Sequence, residues 1–285
     1  MKQCDKKSLL TLCLGAAGMS LRLLQNMTGF EPGTGLPIPG SIPGILLPVL
    51  LALSAVILFR MNSKLPKGPV EVPLSRLLNW NDKGGLSRLL NWNDKEGLFG
   101  ILAGGCVMAF SGVLEIANAF GRTVTAVSAD GMEIVTVSAG TGRSGVVMGL
   151  LAVVAGICLL AGMAICRKTP DTEPQILLAV PVLLLARLIF AYRLYSVDPV
   201  LANYYLELLG LMLLILASYR LSGFAVQAGG PRMFGFYADL TAILAVTLLA
   251  DGHSAALLPL GGAAALEGFQ RAMRMSGAAK GKTEE

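Results

Sequence analysis

Four charged side chains lie within apolar stretches of this sequence: Arg22, Glu115, Arg187 and Glu207. A charge near the middle of a bilayer costs at least about 2.5 to 3.5 kcal/mol, so it needs a partner or water. With a rise of about 1.5 Å per helical residue, all four come out roughly 8 to 13 Å below the outer ends of their predicted helices. We therefore interpret them as one charged layer in the outer leaflet.

Two interpretations of this layer stay open. In the structural one, the charges pair with each other and orient the helices, and Arg187 with Glu207 is the natural pair because their helices are consecutive and antiparallel. In the functional one, the arginines bind a small anionic or zwitterionic solute in a water-filled vestibule, and the glutamates are counter-ions or proton carriers. Other residues are expected above the layer, at the outer surface, where they would line the mouth: Tyr192, Arg193, Tyr195, Asp198, Tyr204, Tyr205, Asp251 and His253.

Patterns typical of catalytic or metal sites are weak in this sequence. The chain has one histidine, and its five cysteines lack the spacing of metal ligands. It has no phosphate-binding loop, zinc-protease helix or serine-elbow motif. Only Glu115, Asp251 and His253 could form an acid–base group, and no spacing supports it. We expect no metal and no cofactor, and we favour a non-enzyme while leaving enzymatic activity open.

The elements that must position these charges are transmembrane helices. Hydrophobic residues make up 54% of the 285 residues, charged residues make up 14%, and the mean hydropathy is +0.66. Soluble domains carry about a quarter charged residues. The net charge of +5 could suggest a nucleic-acid partner, but there is no basic groove with interleaved aromatic residues. The sequence predicts an all-α, polytopic helix bundle that forms one integral membrane domain over residues 1–285, with the lipid bilayer around it.

The apolar runs predict about eight spans with both termini in the cytoplasm. The first run, from residue 8 to about 30, is too long for a typical signal-peptide core, so we expect it to be retained. Most of the 23 lysines and arginines lie in alternate connections, as the positive-inside rule requires. The last two runs, about 236–250 and onward to 269, are short for a bilayer and could instead form one re-entrant hairpin. We expect the protein to lie in a cell membrane, and its pattern is typical of proteins of the prokaryotic cytoplasmic membrane.

The predicted cytoplasmic loop 61–97 contains a tandem repeat of 12 residues, LSRLLNWNDKGG at 74–85 and LSRLLNWNDKEG at 86–97. The leucine spacing suits a short amphipathic helix on the membrane surface, where a protein partner could bind. A spare loop is an equally good interpretation, because loops accept insertions. Residues 270–285 are predicted to be a cytoplasmic tail, and Asp239 and Glu267 are expected to reach the interface or solvent without a partner.

Three smaller patterns complete the prediction. The loop 121–145 alternates and turns at Asp130 and Gly131, which indicates a small extracytoplasmic β-hairpin. Short matches, such as those around Arg22 and Arg187, suggest a 4+4 parallel repeat of two four-helix units. Gly100 and Gly104 are spaced for close helix packing.

The functional hypothesis that follows is a permease-like protein for a small anionic or zwitterionic solute or ion. The alternative is a non-catalytic membrane component, either a sensor or an assembly subunit, whose intramembrane ion-pair cluster is structural. The two differ in whether water reaches the charged layer, because a solute can bind only where water can also enter.

Overall fold

The structure is a computed structural model of the chain. It describes residues 2–31, 36–63, 65, 96–120, 123–127, 134–138, 142–168, 174–196, 204–226, 228–252 and 254–280. Long α-helices make up most of this part. Their bounds are α1 (Lys2–Thr28), α2 (Ile42–Asn62), α3 (Glu96–Ala119), α4 (Gly142–Lys168), α5 (Ala179–Tyr195), α6 (Tyr205–Phe224), α7 (Pro231–Leu248) and α8 (Leu257–Lys280). Short 3₁₀ turns precede α5 at Gln175–Leu178, follow α7 at Leu249–Asp251, and precede α8 at Ser254–Ala256.

Local sequence explains where several helices begin and end. Pro231 occupies the first turn of α7, where the missing N–H group costs nothing and the fixed φ angle suits a helix. The 3₁₀ turn after α7 stops at Gly252, whose φ of +66° is a left-handed conformation that favours glycine. With this turn, the apolar segment extends over Pro231–Asp251, a longer range than the 236–250 predicted from the sequence.

Helices α1 to α7 each contain a segment long and apolar enough to cross a membrane, seven in the described residues. The protein is therefore a multi-pass membrane protein with a helical bundle. Helix α8 is outside this set, and it carries Glu267, Gln270 and Arg271. It nevertheless packs closely along α3 from Gly261 to Ala272. A total of eight spans and the cytoplasmic position of the termini stay predictions.

The helices α3 to α8 form a closed ring. Each packs on its neighbour in chain order from α3 to α8, and α8 packs in turn along α3. Helix α1 lies outside the ring against α7, and α2 packs mainly against α1 and α7. All six ring helices contribute to one cluster of buried apolar side chains, among them Met108, Phe224, Phe234 and Phe269.

Small residues let α3 approach its two neighbours closely. A Cβ atom added at Gly104 would overlap the backbone at Gly261 and Ala265 of α8, and one added at Gly100 would lie 3.2 Å from the Ala264 carbonyl oxygen. On the other side, a Cβ atom at Gly149 of α4 would lie 2.5 Å from the carbonyl oxygen of Gly112. The close-packing role predicted for Gly100 and Gly104 is confirmed.

The structure describes only part of the predicted hairpin, tandem repeat and 4+4 repeat. Strands β1 (Thr123–Val127) and β2 (Ile134–Ser138) pair antiparallel, with Thr125 opposite Thr136. Their connection is outside the described residues, and the side of the membrane on which they lie stays a prediction. Almost all of the tandem repeat at 74–97 is likewise outside the described part of the chain. The 4+4 repeat also stays a prediction. Its two halves pack differently, because α3 packs along α4 and α8, whereas its counterpart α7 packs on α1, α2, α6 and α8.

Candidate functional site

Arg187 and Glu115 form a bidentate ion pair that joins α5 to α3. The guanidinium nitrogens Nη1 and Nη2 of Arg187 donate to the two carboxylate oxygens of Glu115, each at 2.5 Å. Nη1 also donates to the backbone carbonyl of Met148 on α4, at 2.7 Å. Arg187 is 1% exposed and Glu115 is 8% exposed. Paired, charge-assisted hydrogen bonds of this kind are among the strongest in proteins, and here they connect three helices of the ring.

The predicted pair of Arg187 with Glu207 is wrong. Glu207 accepts a hydrogen bond from the Tyr195 hydroxyl at 2.8 Å, and the Tyr195 ring stacks on Tyr204 with 5.5 Å between the centroids. The physical reason is depth. Glu207 lies in the first turn of α6, which begins only at Tyr205, so it is level with the end of α5. Arg187 lies roughly 12 Å further into the bundle than Tyr195, given the helical rise.

Arg22 pairs with Asp251, a residue that the sequence placed at the open mouth. Arg22 Nε lies 2.7 Å from Asp251 Oδ1, and its Nη1 donates to Gln25 at 3.1 Å. Asn26 also donates to Asp251, at 3.0 Å, and Arg22 lies 6.0 Å from the ring centroid of Tyr205. Arg22 is 2% exposed. The four predicted layer residues therefore divide between two separate ion pairs and one tyrosine contact.

A third buried ion pair, at the predicted inner end, was missed by sequence reasoning. Lys7 Nζ lies 2.5 Å from Asp239 Oδ2, and Asn62 bridges the two by accepting from Lys7 at 3.0 Å and donating to Asp239 at 2.8 Å. Lys7 is 8% exposed and Asp239 is 1% exposed. The expectation that Asp239 needs no partner is therefore wrong. Its position near a helix end suggested solvent, and no local pattern shows that α1 and α2 cover it.

The remaining mouth residues that the structure describes differ in exposure. Tyr192 and Arg193 are exposed in the last turn of α5, whereas Tyr195, Tyr204 and Tyr205 are half-buried. Asp198 and His253 lie outside the described residues. The acid–base group of Glu115, Asp251 and His253 therefore stays a prediction, and its two described members are bound by different arginines.

The chemistry available to these residues is mainly mutual neutralisation. Three cations, Lys7, Arg22 and Arg187, are each paired with a carboxylate. Both terminal nitrogens of Arg187 donate to Glu115. Within the ranges that the structure describes, no group of three histidine, cysteine or acidic residues could hold a metal ion. The Nε atom of Arg187 has no hydrogen-bond partner among the described residues.

Comparisons with known proteins give no match. No family model matches the sequence, and neither a curated protein nor a solved structure matches it significantly. What the protein does must be inferred from its own residues and contacts.

Proposed function

We propose that this protein is a non-catalytic membrane component, a sensor or an assembly subunit, in which buried ion pairs fix the arrangement of the helices. The observation that carries the proposal is the bidentate pair of Arg187 and Glu115, buried among α3, α4 and α5. A charged side chain inside a membrane usually faces the bundle interior and pairs with another charge. Here the partner is on a helix two positions earlier in the chain, so the pair specifies which helices meet.

A binding role for Arg187 would require donors that a solute can use. Both terminal nitrogens of Arg187 are committed to Glu115, and one of them also donates to the Met148 carbonyl. The Nε donor of Arg187 has no partner among the described residues, but it is buried. An anion that used the two terminal nitrogens would have to displace the carboxylate and leave Glu115 buried without its partner. An unpaired buried charge costs several kcal/mol, so the closed pair favours a structural role.

A double-mutant cycle tests this proposal. Arg187→Met and Glu115→Met alone each leave a buried charge without its partner, and we expect each to lower the free energy of unfolding by about 3 to 5 kcal/mol. The double variant replaces the pair with apolar side chains and should regain most of that loss. The measurement is the thermal unfolding midpoint of the detergent-purified protein, followed by loss of the monodisperse peak.

The cycle also shows what would contradict the proposal. Additive losses in the double variant would mean that Arg187 and Glu115 act independently. A matched control pairs Arg193→Met with Glu115→Met, because Arg193 is an exposed cation in the last turn of the same helix. That control combination should show no coupling beyond about 0.5 kcal/mol.

A permease is the second candidate, and one observation favours it. Tyr195 lies eight residues after Arg187 on the same stripe of α5, bonds to Glu207 and stacks on Tyr204. Tyr195, Tyr204 and Glu207 link the predicted outer ends of α5 and α6, on the outer side of the Arg187 pair. In a permease they would act as a latch, and release of the Tyr195 hydroxyl from Glu207 would let water and a small anion reach Arg187.

A further inference from the structure

The hairpin of α1 and α2 packs mainly on α7 of the six-helix ring. It has smaller contacts with α8, where Arg271 donates to Ser8, and with α6, where Leu206 packs in one cluster with Leu47. Helix α1 packs along α7, and α2 packs mainly against α1 and α7. Much of α2 is exposed, including Ile42, Leu53 and Val56. Residues 63–95 connect the hairpin to α3, which lies elsewhere in the ring. The contact between α1 and α7 is therefore the largest one that holds the hairpin on the ring.

The two ion pairs of this contact have the same polarity. Helix α1 supplies the cations Lys7 and Arg22, and the α7 segment supplies the acids Asp239 and Asp251. Lys7 binds Asp239 at the predicted inner end, and Arg22 binds Asp251 at the predicted outer end. On both helices the residue number increases from the inner ion pair to the outer one, so the two helices are parallel. One ion pair holds them together at each end.

The middle of the contact is built for close approach. A Cβ atom added at Gly15 would lie 3.0 Å from Cβ of Val246, and one added at Gly18 would overlap the Thr247 hydroxyl. Small residues at a contact between membrane helices allow the two backbones to come close together, and the resulting van der Waals contacts stabilise the helix pair. The apolar middle gives contact area, while the two ion pairs set the register because a shift by one turn would separate both.

We propose that the α1–α2 hairpin is a separate docking unit, and that the face of α7 bearing Asp239, Val246, Thr247 and Asp251 is its docking surface. The partner that this surface fits is a membrane helix with two cations spaced as Lys7 and Arg22 are, and with small residues between them. The occupant is the chain's own α1. This inference extends the structural role of ion pairs to a second interface. Its experiment uses no residue of the Arg187 pair, so either proposal can fail alone.

The experiment cuts the connection between the hairpin and the ring after folding. Residues 74–85 are almost repeated by 86–97, so a protease recognition sequence can replace them in the full chain. We expect the two fragments of the purified, cut protein to remain together in detergent and to elute as one peak. Lys7→Asp should weaken their association by about 100-fold or more, because it places two acids together in a buried site. The charge exchange Lys7→Asp with Asp239→Lys should restore a single peak.

Two further variants keep the test decisive. Leu12→Ala is the matched control on α1, since Leu12 is 64% exposed and should leave the fragments associated. Lys7→Gln removes the charge without reversing it, folds more readily, and should weaken association less than Lys7→Asp. The inference is overturned if the cut parent protein separates, or if Lys7→Asp and Lys7→Gln both stay associated as tightly as the parent. It is also overturned if the uncut protein is a dimer with exchanged hairpins.

Discussion

Asn62 is the residue that connects the Lys7–Asp239 ion pair to α2. Its amide nitrogen donates to Asp239 and to the carbonyl of Leu58 at 3.0 Å, and its amide oxygen accepts from Lys7. A buried carboxylate and ammonium need additional hydrogen bonds because their direct attraction only partly offsets lost hydration. A side chain that both donates and accepts satisfies both partners at once.

Asn62→Leu should therefore destabilise the protein by about 1 to 3 kcal/mol, because a donor and an acceptor to buried charges are lost together. The measurement is the thermal unfolding midpoint in detergent. Asn26→Leu is the matched control, since Asn26 also donates to a paired aspartate, Asp251, but from an exposed position. Its loss should be clearly smaller, and equal losses would show that burial of the inner network has no energetic weight.

For single residues, the sequence predicts that a buried charge needs a partner, but it does not predict which residue that partner is. The need for partners at Arg22 and Arg187 follows from charge and hydropathy alone. The pairing of Arg187 with Glu207 assumed that consecutive helices face each other at equal depth. That assumption failed because α6 begins at Tyr205, which leaves Glu207 in its first turn. Lys7 and Asp239 have the sequence positions of solvent-exposed helix-end residues, and the packing of α1 and α2 on α7 buries them.

At the scale of elements, α3 is the helix on which the ring depends. It contacts α8 on one side and α4 on the other through glycine, so its position is fixed by backbone contact. The spacing of Gly100 and Gly104 predicted one of these contacts, since small residues four apart lie on one helix face. The neighbour that they meet, α8, could not be predicted because any membrane helix with small residues would serve.

Gly104→Ala should lower stability by about 1 to 3 kcal/mol, because even one methyl group overlaps the backbone of α8 and forces the helices apart. The unfolding midpoint and the monodisperse fraction after heating are the measurements. Gly230→Ala is the control: no atom lies within 4 Å of a Cβ at that position, just before α7. It should change stability by less than about 1 kcal/mol. If Gly104→Ala behaves like this control, α3 and α8 are not in close contact.

At the scale of the whole molecule, the protein combines a six-helix ring with a docked two-helix hairpin. Composition and apolar length predicted a multi-pass helical bundle, because the bilayer requires about 20 apolar residues for each span. The ring and the external hairpin could not be predicted, since one apolar helix resembles another until side chains choose their neighbours. The three ion pairs join helices that are distant in sequence, which is how a bundle of similar helices acquires one arrangement.

Access of water to the Arg187 pair separates the structural account from the permease. Ala191 is the position to measure because it lies one turn beyond Arg187 on α5, is buried, and differs from cysteine by one atom. Ala191→Cys would be introduced into a variant without native cysteines and exposed to a membrane-impermeant thiol reagent in right-side-out and inside-out vesicles. Ser196→Cys, an equally conservative change at an exposed position, is the control that must react.

The structural account predicts that Ala191→Cys stays unlabelled from both sides while Ser196→Cys reacts from one side. Tyr195→Phe, which removes the hydroxyl that bonds to Glu207, should leave Ala191→Cys unlabelled as well. Rapid labelling of Ala191→Cys, with a further increase in the Tyr195→Phe background, would contradict the account. It would show a water-filled path to Arg187 behind a tyrosine latch.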